Sequence, residues 1–567
     1  MKTKSSLIEC GLIWQFITQF WKSEQKLQAW SMLLVIIVSN GLIVYGFVEI
    51  NKWNNKLYNA LQNANQPEFF KQALLFIPIT VALVVLFNIN YYFKNILSFT
   101  WRKWLTEYLS YRWLVNNNFY CAAHLTQYPD NPEQRISEDL KSFAFSSLEL
   151  FLVFFKEVIT FASFSVILWN LSGNIHLKNI LGINIEIPGY LLWIALCYSI
   201  LGTYITILIG KPLVQLDYSQ EKFEANFRYS LIKIRAKHEE IALYRGADSE
   251  IHTLTDCFND IKTNFYAIVL RTCYLDVWRN LFYQLHTILP LLAAAPMFFF
   301  GLFTLGTLMQ VVDAFKQVQG SLSVIVKSFT MLSSWLATSI RLTQLEQYLD
   351  QAKFYQKHSK IIITYNDNKM LVCKALSIST PTGKILFKKI NFQINLKDKI
   401  LITGASGIGK STLVRSIAGL WPYGQGSIIL PSNDICFVPQ KPYMPISTLR
   451  EVLIYPTNIK ISNLKIKNLL KLLHLKYLFK SLDCKQDWSV ILSPGEQQRI
   501  AIIRLLIHKP KWIVMDEPTS SLDKNLQNIV FNLLNQYLVN STILTFAHNE
   551  DLAKYNDYIL NLTTFKK

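Results

Sequence analysis

Gly404-Ala-Ser-Gly-Ile-Gly-Lys-Ser411 is the stretch on which the reading of this 567-residue chain turns. It fits the pattern G-x-x-x-x-G-K-[ST]. A strand-like run, Lys399–Thr403, precedes it, and a helical run over Thr412–Leu420 follows. In that setting the glycines turn backbone N–H groups toward phosphate oxygens, and the helix N-terminus adds its positive dipole. Gly404, Ala405, Ser406, Gly407, Ile408, Gly409 and Thr412 form the expected cradle. Lys410 reaches the terminal phosphates, and the Ser411 hydroxyl is placed to ligate Mg²⁺. A merely structural glycine turn is the competing reading, and the flanking strand and helix argue against it.

Downstream, Trp512-Ile-Val-Met-Asp-Glu517 reads as a buried strand ending in two carboxylates. Asp516 can hold Mg²⁺ through water, and Glu517 is then placed to orient or deprotonate an attacking water. Alone, an apolar run ending in Asp-Glu is a weak signal, since many strands end at an acidic loop. Lying 106 residues beyond Lys410, it gains force.

Three further features complete a series. Gln440 follows the strand-like run Ile435–Val438, Leu492-Ser-Pro-Gly-Glu-Gln-Gln-Arg499 opens a helix, and Ser520-Ser-Leu-Asp523 trails the carboxylates. His548 closes the order, after the strand-like run Thr542–Phe546. In this order they resemble the nucleotide-binding domain of ABC transporters. The resemblance implies that Ser493 and Gly495, with Glu496 beside them, bind the γ-phosphate of an ATP held by another copy of the domain. It implies that Gln440 senses Mg²⁺ and water, that Asp523 contacts the opposite subunit, and that His548 is a γ-phosphate switch. Pro494 stands where glycine is usual, at a helix position that tolerates proline, and Glu496 stands where glutamine is common. The neighbourhood where many members stack adenine on an aromatic residue reads Ser377-Ile-Ser-Thr-Pro-Thr-Gly383, without one.

The Thr-Pro-x-Gly form and the run Gln440-Lys-Pro-Tyr-Met-Pro-Ile-Ser-Thr-Leu449 resemble a narrower group. It contains peroxisomal fatty-acyl-CoA half-transporters (subfamily D) and bacterial SbmA/BacA-like and YddA-like permease–ATPase fusions. Trp53–Tyr58, Asp130–Asp139, Phe227–Leu231, Glu239–Gly246 and Leu308–Gln310 resemble membrane-half motifs of the same group.

Outward from the phosphate loop the composition changes. The chain is 51% hydrophobic, 14% aromatic and only 17% charged, against about 25% charged residues in ordinary soluble domains. That disfavours a soluble enzyme, and the apolar content excludes general disorder. The net charge of +19 could invite nucleic acid; in so apolar a chain, basic loops beside anionic lipid account for it. Eight scattered cysteines form no C-x-x-C pair and no Cys/His cluster, so neither a disulfide framework nor a zinc site is expected.

Leu27–Val48 is 22 residues without a charge, enough to cross a bilayer. Similar runs cover Gln72–Phe93, Val158–Leu171, Ile187–Gly210 and Leu281–Phe300, and a more polar one covers Leu308–Leu332 after a turn at Gly301–Gly306. Six spans put both ends on one side. Twenty Lys and Arg border that side against four on the other, so both termini are expected in the cytoplasm. Leu7–Trp21 reads as an amphipathic helix along the membrane, with Trp14, Phe16, Phe20 and Trp21 at headgroup level.

The expected fold is therefore an α-helical transmembrane domain of six spans, exporter-like, over residues 1–345. It is fused to an α/β P-loop NTPase domain of the ABC type over 346–567, with a linker near 345–365. The resemblance implies a homodimer in the inner membrane of a bacterium, powered by ATP and Mg²⁺, with a lipid bilayer around it and no nucleic-acid partner. The implied cargo is a transported small molecule or peptide: peptidic, cobalamin-like or fatty-acyl. Asp313, Lys316 and Lys327, ionisable residues in the sixth span, are candidates to line its path or to pair structurally, with His286 behind them. A lipid or drug exporter of the same build, and a membrane-bound sensor ATPase, are the rivals.

Overall fold

The computed structural model describes residues 2–123, 131–172, 174–180, 183–366, 370–431 and 434–565, with the side chains of 2–10, 174–187, 214, 286, 325–326 and 329 excepted. Asp130, at the head of one membrane-half motif, and the His286 side chain thus lie outside what is described. The chain forms two compact units. One comprises Met1–Ser110 with Asn131–Leu345; the other comprises Tyr111–Asp130 with Glu346–Lys567.

The first unit is almost all helix: α1 (Lys2–Trp21), α2 (Lys26–Gln62), α3 (Gln66–Leu114), α4 (Leu140–Ser172), α5 (Tyr190–Ala236), α6 (Ala247–Phe299), α7 (Leu305–Leu322) and α8 (Phe329–Lys357). α3 and α8 run on into the second unit. Among the described residues, five helices are long and apolar enough to cross a membrane, namely α2 to α6 with their short extensions. Their lengths exceed a bilayer's need of about 20 residues. The regions expected as helical inner loops are continuations of these same rods: α5 runs on to Ala236, and α6 starts at Ala247.

The expected sixth run over Leu308–Leu332 is not one helix. α7 ends at Leu322, a short turn of helix covers Val324–Lys327, and α8 begins at Phe329. The polarity of α7 has a packing reason. One side carries Leu308, Val311, Ala314, Phe315 and Val318 into a core with Phe164, Leu168, Tyr190, Leu191, Ala195 and Ala294. The other side meets the C-terminal half of α2 in a seam of amides. Asn55 Nδ2 donates to Gln310 Oε1 at 2.8 Å, Asn51 Nδ2 to the Gln310 carbonyl at 3.0 Å, and Asn54 Nδ2 to Asp313 Oδ2. Gln62 and Asn59 side-chain oxygens cap the start of α7, accepting from Leu305 N and Gly306 N. The amides pair across the two helices, while Asn51 Oδ1 is buried without a partner. Asp313 is thus bound to Asn54 on α2, and Lys327 Nζ donates to the Gly320 carbonyl at 3.2 Å.

Three other expectations need correction. Phe16 and Phe20 do not face outward to headgroups: they are buried in an aromatic cluster, Phe20 stacking on Trp101 at 5.8 Å and Phe16 meeting Phe143 at 6.2 Å. Trp14 remains exposed. The span expected from Ile187 starts at Tyr190, because Asn174–Ile180 and Ile183–Pro188 form an antiparallel hairpin, β1 and β2. Its Ile-Asn-Ile-Glu-Ile alternation has the period of a strand rather than of a helix. The turn expected over Gly301–Gly306 ends at Thr304, whose side chain caps α7, leaving Gly306 inside the helix. Asp139, from the motif at 130–139, takes a bidentate grip from Arg341, with both contacts at 2.8 Å.

The second unit holds two large sheets and a short antiparallel pair of Ile446–Thr448 with Lys485–Asp487. β3 (Lys360–Asn366), β4 (Met370–Ser379), β5 (Ile385–Asn395) and β7 (Gly424–Pro431) make a mixed sheet in the order β3-β7-β4-β5. β6 (Lys399–Thr403), β8 (Ile435–Val438), β9 (Trp512–Asp516), β10 (Thr542–Phe546) and β11 (Tyr558–Asn561) make a parallel sheet in the order β11-β6-β10-β9-β8. Every residue of β9 and β10 is buried, as befits a parallel sheet covered on both faces. Three helices position the site, α9 (Lys410–Ile417), α11 (Pro494–His508) and α12 (Lys524–Tyr537), and α10 (Asn463–Leu472) shares a core with α11. α9 stops short of the expected Leu420, because Gly419 turns left-handed at φ +73°.

The seam between α2 and α7 yields a prediction. A Cβ on Gly306 would lie 2.1 Å from the Asn55 carbonyl and 2.6 Å from Asn59, so the helices would have to separate. Gly306→Ala should destabilise the protein by about 1–3 kcal/mol, as overpacking does. Gly41→Ala, on α2 with nothing within 4 Å of its Cβ, should be nearly neutral. Thermal unfolding in detergent checks both.

Candidate nucleotide site

The site is built at the ends of adjacent parallel strands. β6 delivers the phosphate loop, and Gly407 and Gly409 take φ of +75° and +112° to turn it into α9. Such angles favour glycine. The Phe387 ring is fully buried beneath the loop, 2.9 Å from where a Gly409 Cβ would stand. Lys410 is 6% exposed, and its Nζ donates to the carbonyls of Gly404 at 2.8 Å and Ala405 at 3.3 Å. The ammonium therefore lies along the loop, close to where terminal phosphates would stand.

β9 brings Asp516 beside this helix start. Burial pushes its carboxyl up from the ordinary value, and a hydrogen bond from Ser411 works the other way. Asp516 Oδ1 is buried and has no hydrogen-bond partner. A hydroxyl beside a carboxylate with a spare buried oxygen suits a hard cation that completes its shell with water and phosphate oxygens. The donor set therefore fits Mg²⁺ at Ser411 and Asp516.

One residue on, the backbone of Glu517 turns left-handed, at φ +46°, and its N–H is fixed by the Phe546 carbonyl at 2.8 Å. That places its carboxylate between two arms. Gln440 Nε2 donates to Oε2 at 3.0 Å, and His548 Nδ1 lies 3.3 Å from Oε1. Residues from positions 440, 517 and 548 thus meet on one carboxylate, next to the Ser411–Asp516 pair.

The other predicted residues form a separate group. Ser493 is the N-cap of α11, with Pro494 in the first turn and Glu496 completing a capping box. A Cβ on Gly495 would lie 2.8 Å from the Ser521 carbonyl, which explains glycine there. Asp523 caps α12, accepting from Leu526 N at 2.7 Å. Thr380 and Lys384 close the turn where an adenine shelf is common, with Gly383 at φ +87°.

Sequence reasoning missed two residues here. Gln498, 3% exposed, donates to Ser520 Oγ at 3.0 Å and to the Gln440 carbonyl at 3.3 Å, and accepts from Ser521 N. It ties the signature helix to both flanking loops. Phe387 supports the phosphate loop. Gln498 stands within Leu492–Arg499 but had no role assigned there, and Phe387 lies outside the motifs; three-dimensional contact reveals what each of them holds.

Residues 17–299 match the family described as ABC transporter transmembrane region 2, and residues 387–520 match that described as ABC transporter. A Haemophilus influenzae protein described as an uncharacterized ABC transporter ATP-binding protein is 32% identical, over 95% of this chain and 90% of its own. The Escherichia coli inner membrane ABC transporter ATP-binding protein YddA is 29% identical over 94% of each chain. The human lysosomal cobalamin transporter is 26% identical, over 96% of this chain and 92% of its own. A solved bacterial Atm1-family ABC exporter with ATP bound shares the fold, with a TM-score of 0.74 over 95% of this chain and 94% of its own at 15% identity. The chain belongs to the ABC transporter family, as a half-transporter that joins a multi-pass transmembrane region to one ABC ATPase domain.

Glu517→Gln keeps the shape and the contacts to Gln440 and His548 but removes the carboxylate. ATP hydrolysis should fall by about 10²–10⁴-fold, the span of general-base contributions, while nucleotide binding persists. Steady-state hydrolysis alongside equilibrium nucleotide binding checks this, and near wild-type turnover would exclude Glu517 as the base.

Proposed function

We propose that the protein is an ATP-driven transporter acting as a homodimer in a bacterial inner membrane, with both termini in the cytoplasm. The observation that carries the reading is the convergence of Gln440 and His548 on Glu517, beside Ser411 and Asp516. That is an arrangement for holding and activating a water at a terminal phosphate. Each ATP would lie between the phosphate loop of one copy (residues 404–412) and Ser493 and Gly495 of the second, with Asp523 near the join.

Bound Mg²⁺, held by Ser411 and Asp516, would neutralise charge on the β- and γ-phosphates. Lys410 would leave the Gly404 and Ala405 carbonyls to meet the same phosphates. Glu517 would accept a proton from the attacking water, with Gln440 and His548 fixing its two oxygens and His548 sensing the γ-phosphate. Hydrolysis would let the pair of ATPase domains part, and the membrane helices would switch the side to which the cargo path opens.

The cargo of this reading is hydrophilic or amphipathic and is taken up: a peptide, a cobalamin-like molecule or a fatty-acyl derivative; the cobalamin transporter among the relatives supports the second of these. Asp313, Lys316 and Lys327 are the proposed polar contacts on its path. The likeness in fold to an exporter favours outward movement as the second reading.

Reconstitution in liposomes tests both. ATP-dependent flux of at least one of a peptide, cobalamin or an acyl-CoA is expected, abolished by Glu517→Gln. Accumulation of cargo on the side opposite the ATPase domains would mean export, and accumulation on their side uptake. ATP hydrolysis without flux of any cargo class would favour the sensor.

A further inference from the structure

The signature serine is held by a carboxylate. Ser493 donates its hydroxyl proton to Glu496 Oε2 at 2.9 Å, and its backbone N–H donates to the same oxygen at 2.9 Å. The other oxygen of Glu496 accepts a hydrogen bond from the Tyr477 hydroxyl. Arg499 NH2 lies 4.0 Å from that second oxygen, at the edge of ion-pair range. The guanidinium is itself pinned by the carbonyls of Leu473 at 3.0 Å and Gly495 at 3.4 Å. Side chains at both ends of this pair are mostly covered, Arg499 at 13% exposure and Glu496 at 18%.

Burial works against ionisation of Glu496, but the hydrogen bonds from Tyr477 and Ser493 outweigh it and hold the carboxyl below the usual range. Burial, reinforced by Glu496, pushes the Tyr477 phenol up to about 12, so it stays a donor at physiological pH. A serine hydroxyl has one proton to give. The γ-phosphate of ATP is an acceptor, so a Ser493 that binds it must offer that proton. The proton is already engaged by a negative group of the same chain.

We propose that Glu496 acts as a brake on ATP capture, competing for the Ser493 hydroxyl proton and placing a negative charge beside the incoming γ-phosphate. Tyr477 is the positioning residue that sets the strength of the brake. By occupying the second oxygen of Glu496 it draws charge away from the oxygen that holds Ser493. The inference rests on the proposed role of Ser493 at the ATP of the opposite copy. A hydrogen bond to a charged group is worth roughly 1 kcal/mol more than one to a neutral group, which corresponds to about a fivefold change in an equilibrium.

The test is the ATP dependence of hydrolysis by the full-length homodimer in lipid, for wild type, Glu496→Gln, Tyr477→Phe and the double variant. Glutamine preserves the capping box, so the start of α11 should survive, and thermal unfolding verifies that. Glu496→Gln should lower the KM for ATP about fivefold and change kcat by a smaller factor. Tyr477→Phe should raise the KM by a similar factor in the parent and change nothing in the Glu496→Gln background. An unchanged or higher KM for Glu496→Gln overturns the brake, as does a Tyr477→Phe effect of equal size in both backgrounds. Ser493→Ala separates the two levels. If it impairs turnover while neither other variant moves the KM, the brake alone fails; if it is silent, the placing of Ser493 at the ATP fails and the brake falls with it.

Discussion

The arrangement in the second unit depends on one backbone constraint at the end of β9. Asp516 is the last residue of a fully buried strand, and Glu517 must turn out of the sheet at once. It does so in the left-handed region, where a non-glycine residue is strained by about 1–3 kcal/mol, and the Phe546 carbonyl fixes the turn through the Glu517 N–H. The consequence is that two adjacent carboxylates face different tasks. Asp516 stays buried beside Ser411, and Glu517 is partly exposed between Gln440 and His548. A relaxed β conformation at Glu517 would continue the strand and disperse those contacts.

In the first unit the governing constraint is the pairing of amides between α2 and α7. Asn51, Asn54 and Asn55 donate across the seam, and the start of α7 is capped by Gln62, Asn59 and Thr304. Close approach requires a small residue, and Gly306 supplies it against the Asn55 carbonyl. A helix with one apolar and one amide-rich side can remain inside a bundle even though its hydropathy is modest.

Much of this was legible in the sequence. The phosphate loop, the strand Trp512–Asp516, Gln440 and His548 each occupy the element that their motif requires, because every one of them marks a change from strand to loop. The first five apolar runs were legible from length alone. What escaped has physical reasons. The hairpin at 174–188 is written in period two beside a membrane span and merges with it. Phe16 and Phe20 look like surface anchors until Trp101 and Phe143 are brought to them by the fold. Gln498, Phe387 and Tyr477 meet their partners across gaps of 19 to 58 residues along the chain, where no local pattern shows the contact.

The central claim is that two copies share each ATP, and one mixed dimer tests it most directly. Lys410→Ala damages the phosphate loop and Ser493→Ala damages the signature, so either homodimer carries the same defect at both sites. A heterodimer of the two has one site with both defects and one with neither. Nucleotide occlusion by purified heterodimers is the measurement. One nucleotide occluded per heterodimer, above either parent, is the result the account predicts. Occlusion no greater than in the parents would mean that each site is completed within one chain, and would contradict it.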